Sequence, residues 1–456
     1  MRTPQEQFEY LTTAPMKKLL FQLSVPTMMS MLITSIYNIT DTFFVGQIGT
    51  SASGAVGIVA SVMTIIQALG FTFGHGAGSN VSRQLGAQDS AAASRFCSTS
   101  FFAAVATGLL LTIGGLCFLE PLMLFLGSTE TILPYACEYA FYILCAAPIM
   151  MGSIILNNIL RYEGKANIAM IGLVGGGILN IALDPIFIFG LNMGVAGAGL
   201  ATACSQLASL LILYSMFARG KTISKISPRS ITRSGKEFAN IVVTGLPSFG
   251  RQGLASVATI LLNIAAAPYG DAAIAAMSIV TRIFLFLFSM TLGVGQGLQP
   301  IAGFNYGAKK YGRVREVCLL MITVSTALSA IVMVFFIGFS TPLISLFRDD
   351  PDVIAIAVPA FRYQCLASLI LPTSTATSFL FQSIGKSKSA TLLACCRQGI
   401  FYWPLIFLLP NLFGITGIQL TQPLSDLCTF VLSCCFLLPF LRHLKNLADG
   451  QTAPQS

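Results

Sequence analysis

The sequence predicts an all-α polytopic membrane protein whose twelve transmembrane helices form two homologous six-helix bundles. Three observations carry this. Of the 456 residues, 55% are hydrophobic and only 9% charged, against about 25% charged in an ordinary soluble domain, so there are too few charges to cover a water-facing surface. Apolar runs of about 20 residues, enough to cross a ~30 Å hydrocarbon core, follow one another from Lys17 to Leu441 with short interruptions. The chain also repeats itself: placing Pro26 on Pro247 superposes Ser35 on Ser256, Gly49 on Gly270, Ala52 on Ala273, Gly76 on Gly297, Gly86-Ala87 on Gly307-Ala308 and Gly164-Lys165 on Gly385-Lys386. A repeat of that length is two copies of one design. Barrel strands would alternate apolar and polar, whereas 101–118 and 317–339 are apolar all round.

The elements follow in order. Residues 1–16 are polar, carry Glu6 and Glu9, and lack the basic start, apolar core and cleavage site of a signal peptide. The N-terminal lobe, 17–218, holds spans 17–45 with Pro26 and Asp41, 52–84 with Gly70, Gly74 and Gly76, and 92–119. It continues with 131–157, carrying Glu138 and Tyr139, then 166–190, carrying Gly175–Gly177, Asn180, Asp184 and Pro185, and 194–218, carrying Thr202. A basic linker, 219–236, leads to the C-terminal lobe, 237–441. Its spans are 237–266 with Pro247 and Arg251, 272–304 with Arg282 and Gly293, Gly295 and Gly297, 312–341, 353–382 with Arg362, 389–411 with Arg397 and Pro404, and 414–441 with Pro423 and Asp426. Glycine and proline inside spans allow close helix packing and bending. Residues 442–456 form a C-terminal tail.

The net charge of +9 invites a nucleic-acid reading, but the placement of the basic residues gives it another meaning. Reading from an internal N-terminus, the cytoplasmic segments receive Arg2, Lys17, Lys18, Arg83, Arg95, Arg161, Lys165, the cluster Arg219, Lys221, Lys225, Arg229, Arg233 and Lys236, then Lys309, Lys310, Arg313, Arg315, Lys386, Lys388, Arg442 and Lys445, while the external loops hold only Arg348. That is the positive-inside pattern, with both termini in the cytoplasm of a bacterial inner membrane. Six spans per half make the halves parallel repeats, suited to alternating access about a central cavity. The linker is then either the hinge between lobes or a topology signal that touches anionic lipid.

Carboxylates are costly in hydrocarbon and mark function there. Those within spans are Asp41, Glu138, Asp184 and Asp426. Asp41 and Asp184 lie at similar depth below the external surface, and Tyr139 and Thr202 share that layer. Asn180 is one helical turn from Asp184, on the same face. Two carboxylates with a phenol, a hydroxyl and an amide could exchange one proton or one sodium ion for a substrate, since burial and like charge favour a protonated carboxyl and oxygen ligands suit a hard cation. The alternative is a satisfied polar cluster that only fixes packing. The repeat places Leu262 and Leu405 where the first half has Asp41 and Asp184, so coupling belongs to the first half. In the second half Asp426 faces a choice of arginines, with Arg397 the simplest partner and Arg251 nearby in the same polar group, either in a lobe-stiffening ion pair or in substrate binding.

The chain resembles the multidrug and toxic compound extrusion (MATE) family over nearly its whole length. The residues concerned are Asn38-Ile39-Thr40-Asp41-Thr42 with Gly46 and Gly49, Ser82-Arg83-Gln84-Leu85-Gly86-Ala87 and its repeat from Pro300 to Lys310, Gly245-Leu246-Pro247 with Arg251-Gln252, Arg397-Gln398-Gly399, and Gln422-Pro423 with Asp426. The second-half strings are similar to bacterial MepA-like members, and the missing second-lobe carboxylates resemble the DinF-like branch. The resemblance implies a V-shaped pair of lobes, drug/cation antiport, a coupling ion of H+ or Na+ and no other cofactor. It also implies a cation site at Asp41, Asn180, Asp184 and Thr202, with Tyr139 beside them.

Other classes fit less well. An ATP-driven pump needs GxxxxGK[ST], and the candidates ending at Gly220-Lys221-Thr222 and Gly385-Lys386-Ser387 have Ser215 and Leu380 at the first glycine. The chain is read as no enzyme: its two histidines, His75 and His443, are far apart and taken as structural, and its twelve cysteines show neither CxxC nor Cys/His metal spacing. An exporter of lipid-linked saccharides stays open as the alternative, because it would share the repeated architecture. The expected partners are amphipathic drugs and lipids, with no nucleic acid, and a monomer holds both lobes.

Overall fold

The computed structural model describes residues 3–452. In chain order the helices are α1 (Pro4–Thr13), α2 (Met16–Gly46), α3 (Thr50–Gly86), α4 (Ser90–Cys117), α5 (Leu119–Phe125), α6 (Leu133–Tyr162), α7 (Ala166–Pro185), α8 (Gly194–Ala218), α9 (Gly235–Ala266), α10 (Asp271–Gly307), α11 (Tyr311–Gly338), α12 (Ser340–Ser345), α13 (Pro351–Ala367), α14 (Leu371–Ser383), α15 (Ser387–Cys395), α16 (Tyr402–Phe413) and α17 (Ile415–Thr452). Among the described residues there is no strand. Among the described residues eleven helical segments are long and apolar enough to span a membrane, one of them α15 and α16 joined through the π-helical turn Cys396–Ile400, and α13 with α14 makes a twelfth crossing bent by 53°. The break falls where Pro372 enters α14, because a proline cannot donate the amide that would continue the helix. The last helix also runs well past residue 441, where the span was expected to stop.

Local chemistry sets the ends. The Asp89 carboxylate accepts from Ala92 N at 2.8 Å and starts α4; Asp350 accepts from Asp352 N at 3.0 Å and, with Pro351 behind it, starts α13. The equivalent turns after α6 and α14 use Gly164 and Gly385, both at positive φ, which a side chain would resist.

The chain divides into two compact units. One comprises the residues up to Phe8 together with Met29–Phe249; the other comprises Glu9–Met28 and the chain from Gly250 onward. The divisions fall inside α1, α2 and α9, so each of these helices gives its first part to one unit and its second to the other.

In the first unit α6 is the centre, packed against α3, α4 and α8. The opening half of α9 is set against α3 at a crossing without side chains: a Cβ on Gly76 would overlap the Ile241 carbonyl oxygen, and one on Gly245 would overlap that of Thr72. The linker after α8 is docked on this unit. Glu163, fully buried, accepts from Ser224 N at 2.7 Å and Ile223 N at 3.0 Å, while Lys225 N donates to Ser94 Oγ at 3.1 Å, Ser227 N to Ser98 Oγ at 3.1 Å and Thr232 N to Thr99 Oγ1 at 2.9 Å. The linker is therefore a fastened strap, held by a buried acid at the end of α6.

In the second unit α10 packs on α11, α13 and α14, around a core that includes Phe284, Leu287, Phe336 and Phe361. The opening part of α2 crosses α10 in the repeat-equivalent way, with a Cβ on Gly297 overlapping Ser24. The end of α1 is capped here: Leu11 O, Thr12 O and Ala14 O accept from Asn305 Nδ2, Lys310 Nζ and Arg313 Nη2 at 3.1, 3.1 and 2.7 Å, an amide and two cations placed where a helix end is electron-rich.

Candidate functional site

The first unit collects the expected acids. Asp41 sits near the end of α2, and Asp184 is the penultimate residue of α7, before Pro185 and the π-helical turn Ile186–Gly190. Asn180 is a turn earlier on α7, Tyr139 is on α6 and Thr202 on α8. All five are buried, Asp184 completely and Asp41 to 9% exposure. Tyr139 OH donates to Asp41 Oδ2 at 3.5 Å and meets the Thr202 hydroxyl, while Asn180 Nδ2 donates to Asp184 Oδ1 at 3.4 Å. Asp41 and Asp184 are close enough to act on each other electrostatically.

These are long, weak bonds, and they leave three oxygens over. Asp41 Oδ1, Asp184 Oδ2 and Asn180 Oδ1 are buried with no hydrogen-bond partner. A buried acceptor without a donor costs about 1–3 kcal/mol, more if charged, so these three oxygens are open to a ligand. Among the described residues no three His, Cys, Asp or Glu side chains gather into a metal-binding group. The ligands on offer are carboxylate, amide and hydroxyl oxygens, which fit a proton or a hard cation and not a soft metal. Tyr37, a turn before Asp41 and within its electrostatic reach, belongs to the same neighbourhood and lies against Gly177 of α7; its four-residue spacing from Asp41 was the available signal.

In the second unit Asp426 of α17 is 1% exposed and both of its oxygens are used. Arg397 Nε donates to Oδ1 at 2.8 Å, Gln422 Nε2 to Oδ1 at 2.8 Å and Gln364 Nε2 to Oδ2 at 3.3 Å. Arg397 also stacks over Phe288 at 4.2 Å, and its carbonyl accepts from Ser425 Oγ at 2.7 Å. Arg397 supplies the guanidinium of this group, whereas Arg251 is placed over the ring of Phe379 at 4.4 Å. Satisfied on every side, this is the geometry of a structural ion pair. Arg362, a third arginine of this half, donates to Ser340 Oγ at 3.1 Å.

One placement differs from expectation: Arg161, counted among the cytoplasmic loop charges, is buried at 4% exposure, with His75 beside it at 3%. Glu138, near the start of α6, is exposed and faces an open cleft of 590 Å³ lined by Tyr135, Cys137, Phe141 and Tyr142.

Comparison with known proteins agrees with the repeat. The MatE family model matches twice, over residues 26–186 and 247–408. The chain is 29% identical to multidrug export protein MepA of Staphylococcus aureus (strain MSSA476) over 414 residues, 91% of each protein. It is 30% identical to that of strain N315 over 418 residues, again 91% of each, and 27% identical to that of Staphylococcus haemolyticus (strain JCSC1435) over 443 residues, 97% of this chain and 96% of the other. Among solved structures it matches an outward-facing multidrug resistance MATE family transporter of the MOP superfamily with a TM-score of 0.90 at 28% identity, covering 96% of this chain and 98% of that one. A MOP superfamily transporter from Pyrococcus furiosus also matches with a TM-score of 0.90, at 27% identity over 96% and 99% of the two chains. With its twelve crossings, internal repeat and doubled family match, the chain belongs to the MatE family.

Proposed function

We propose that this protein is a secondary active multidrug exporter that exchanges amphipathic or cationic drugs for H+ or Na+ by alternating access of its two lobes. It does so in a bacterial inner membrane, as a monomer with both termini in the cytoplasm. The observation that carries the reading is the buried layer of Asp41, Asp184 and Asn180, whose three orphan oxygens accept without being given anything. The MepA relatives and the MATE structures support the exporter class.

Asp41 and Asp184 hold the coupling cation; Asn180 orients Asp184, and Tyr139 orients Asp41 against Thr202. A proton would sit on Asp41 Oδ1 or Asp184 Oδ2, the oxygens with no donor of their own. A sodium ion would take Asp41, Asn180, Asp184 and Thr202 as ligands and supply a fixed positive charge among them. Either one neutralises the layer, and a ligand shifts a conformational equilibrium only by binding one state better than the other. Cation entry from outside thus favours the state that has released drug, and cation loss resets the carrier.

The test is ethidium efflux from cells lacking their own pumps, comparing wild type with Asp41→Asn at matched membrane expression. Export that collapses with an ionophore and is missing in the variant is the expected result. Absence of wild-type export across several dyes, under both sodium and proton gradients, would turn the reading toward a lipid-linked saccharide or a metabolite.

A further inference from the structure

The first unit contains a second buried titratable group, well removed in sequence from the acidic layer. His75 of α3 is held on both ring nitrogens: Arg161 Nη2 of α6 lies 3.2 Å from Nε2, and Ser248 Oγ of α9 lies 3.0 Å from Nδ1. A guanidinium can only donate. His75 Nε2 must therefore accept, which fixes the ring as the neutral tautomer with its proton on Nδ1, donated to Ser248. Arg161 is held in place by Asn158 Oδ1 at 2.6 Å and lies over the Tyr162 ring at 5.7 Å. The bonds tie together α3, α6 and the opening half of α9, beside the glycine crossing of Gly76 and Gly245.

We infer that His75 is a second proton-binding site, and that its protonation opens the clasp holding the first part of α9 in the first unit. A proton on Nε2 would point at the guanidinium, replacing a hydrogen bond by two cations at contact distance in a site almost closed to water. Arg161 and Tyr162 from α6 and Ser248 from α9 face His75, and Phe71 of its own helix packs edge-on against it. The nearby charges have their own ligands: Glu163 holds the linker amides and Lys165, and Arg83 Nη2 donates to Asn80 Oδ1.

The internal repeat gives an independent reason to read the pair as special. Displaced by the repeat, His75 falls on Gln296, Arg161 on Gln382 and Ser248 on Thr27. Both glutamines are buried, so the second unit fills the same two places with amides that cannot titrate. Only the first unit carries a proton-sensitive pair at this crossing.

Hydrogen–deuterium exchange of the purified full-length protein in lipid nanodiscs tests this without any transport assay, so its failure is separable from failure of the exporter reading. Between pH 7.5 and 5.5, exchange of peptides covering 235–249, corrected for the intrinsic rate, is expected to rise in wild type by up to about tenfold per pH unit, the slope of one coupled proton. It is expected to stay flat in His75→Gln, whose amide oxygen still accepts from Arg161. The double variant His75→Gln/Arg161→Gln copies the pair of the other unit and serves if the single variant fails to fold. A wild-type profile without an acid response overturns the proposal, as does an acid response equally large in either variant.

Discussion

Substituting Asp426 should cost far more stability than substituting either acid of the first unit. Asp426→Ala removes an acceptor used by three side chains and leaves Arg397, 15% exposed, without its carboxylate. The Arg397 bond is charge-assisted and worth about 1.5–3 kcal/mol, and the shorter glutamine bond adds about 1 kcal/mol. With the long Gln364 contact the loss comes to about 3–5 kcal/mol, the range for breaking a buried pair by removing one partner. Asp41→Asn and Asp184→Asn keep the volume, and each acid receives a single bond near the outer limit of distance, so they should cost less than about 1 kcal/mol. For a unit of this size that separates a fall of about 10 °C in melting temperature from one of at most a few degrees. Thermal unfolding of the purified variants in detergent reads both. Adding Arg397→Leu to Asp426→Leu should recover most of the loss, because an apolar pair in place of a buried ion pair is often neutral. Melting losses as large for Asp41→Asn as for Asp426→Ala would refute the division into a binding layer and a structural pair.

Other substitutions probe the rest of the molecule. Gly76→Ala puts a Cβ onto the Ile241 carbonyl and should cost roughly 1–3 kcal/mol through overpacking, despite alanine's better helix propensity; reduced melting temperature and membrane yield would show it. Tyr139→Phe deletes the donor to Asp41 Oδ2, a bond that favours the charged carboxylate, and should tighten proton binding there by up to about tenfold, one hydrogen bond's worth, read as a lowered half-saturating proton concentration in dye exchange. Glu163→Ala strips the Ser224 and Ile223 amides of their acceptor and should make Lys221, Lys225 and Arg229 markedly faster trypsin sites in inside-out vesicles. Unchanged cleavage there would mean the strap is held elsewhere.

Much of the architecture was legible because a membrane permits few solutions. Twelve apolar segments, a repeat anchored on Pro26 and Pro247, and the rarity of acids were enough to draw the spans and to single out Asp41 and Asp184. Depth arithmetic could place Tyr139 and Thr202 beside them because each helix rises by a fixed distance per residue. The break between Ala367 and Leu371 was hidden inside a continuous apolar run. The burial of Arg161 could not be read locally, since His75 of α3 is 86 residues away in the chain and the His75 clasp needs Ser248 from far downstream. Glu163 looked like a loop acid because nothing near it in sequence shows that the linker folds back to use it. Gln422 could be paired with Asp426 by helical spacing, whereas Gln364, 62 residues away, could not.

The central claim is that Asp41 and Asp184 carry the coupling cation. The most direct measurement is drug-driven cation movement in proteoliposomes holding the purified protein, with a pH-sensitive dye inside in one set and a sodium indicator in the other, for wild type, Asp41→Asn, Asp184→Asn and Asp426→Asn. Wild type should move one of the two cations against added drug, the first two variants should move neither, and Asp426→Asn should keep the exchange in proportion to its folded fraction. Full drug-driven cation movement in Asp41→Asn or Asp184→Asn would contradict the claim.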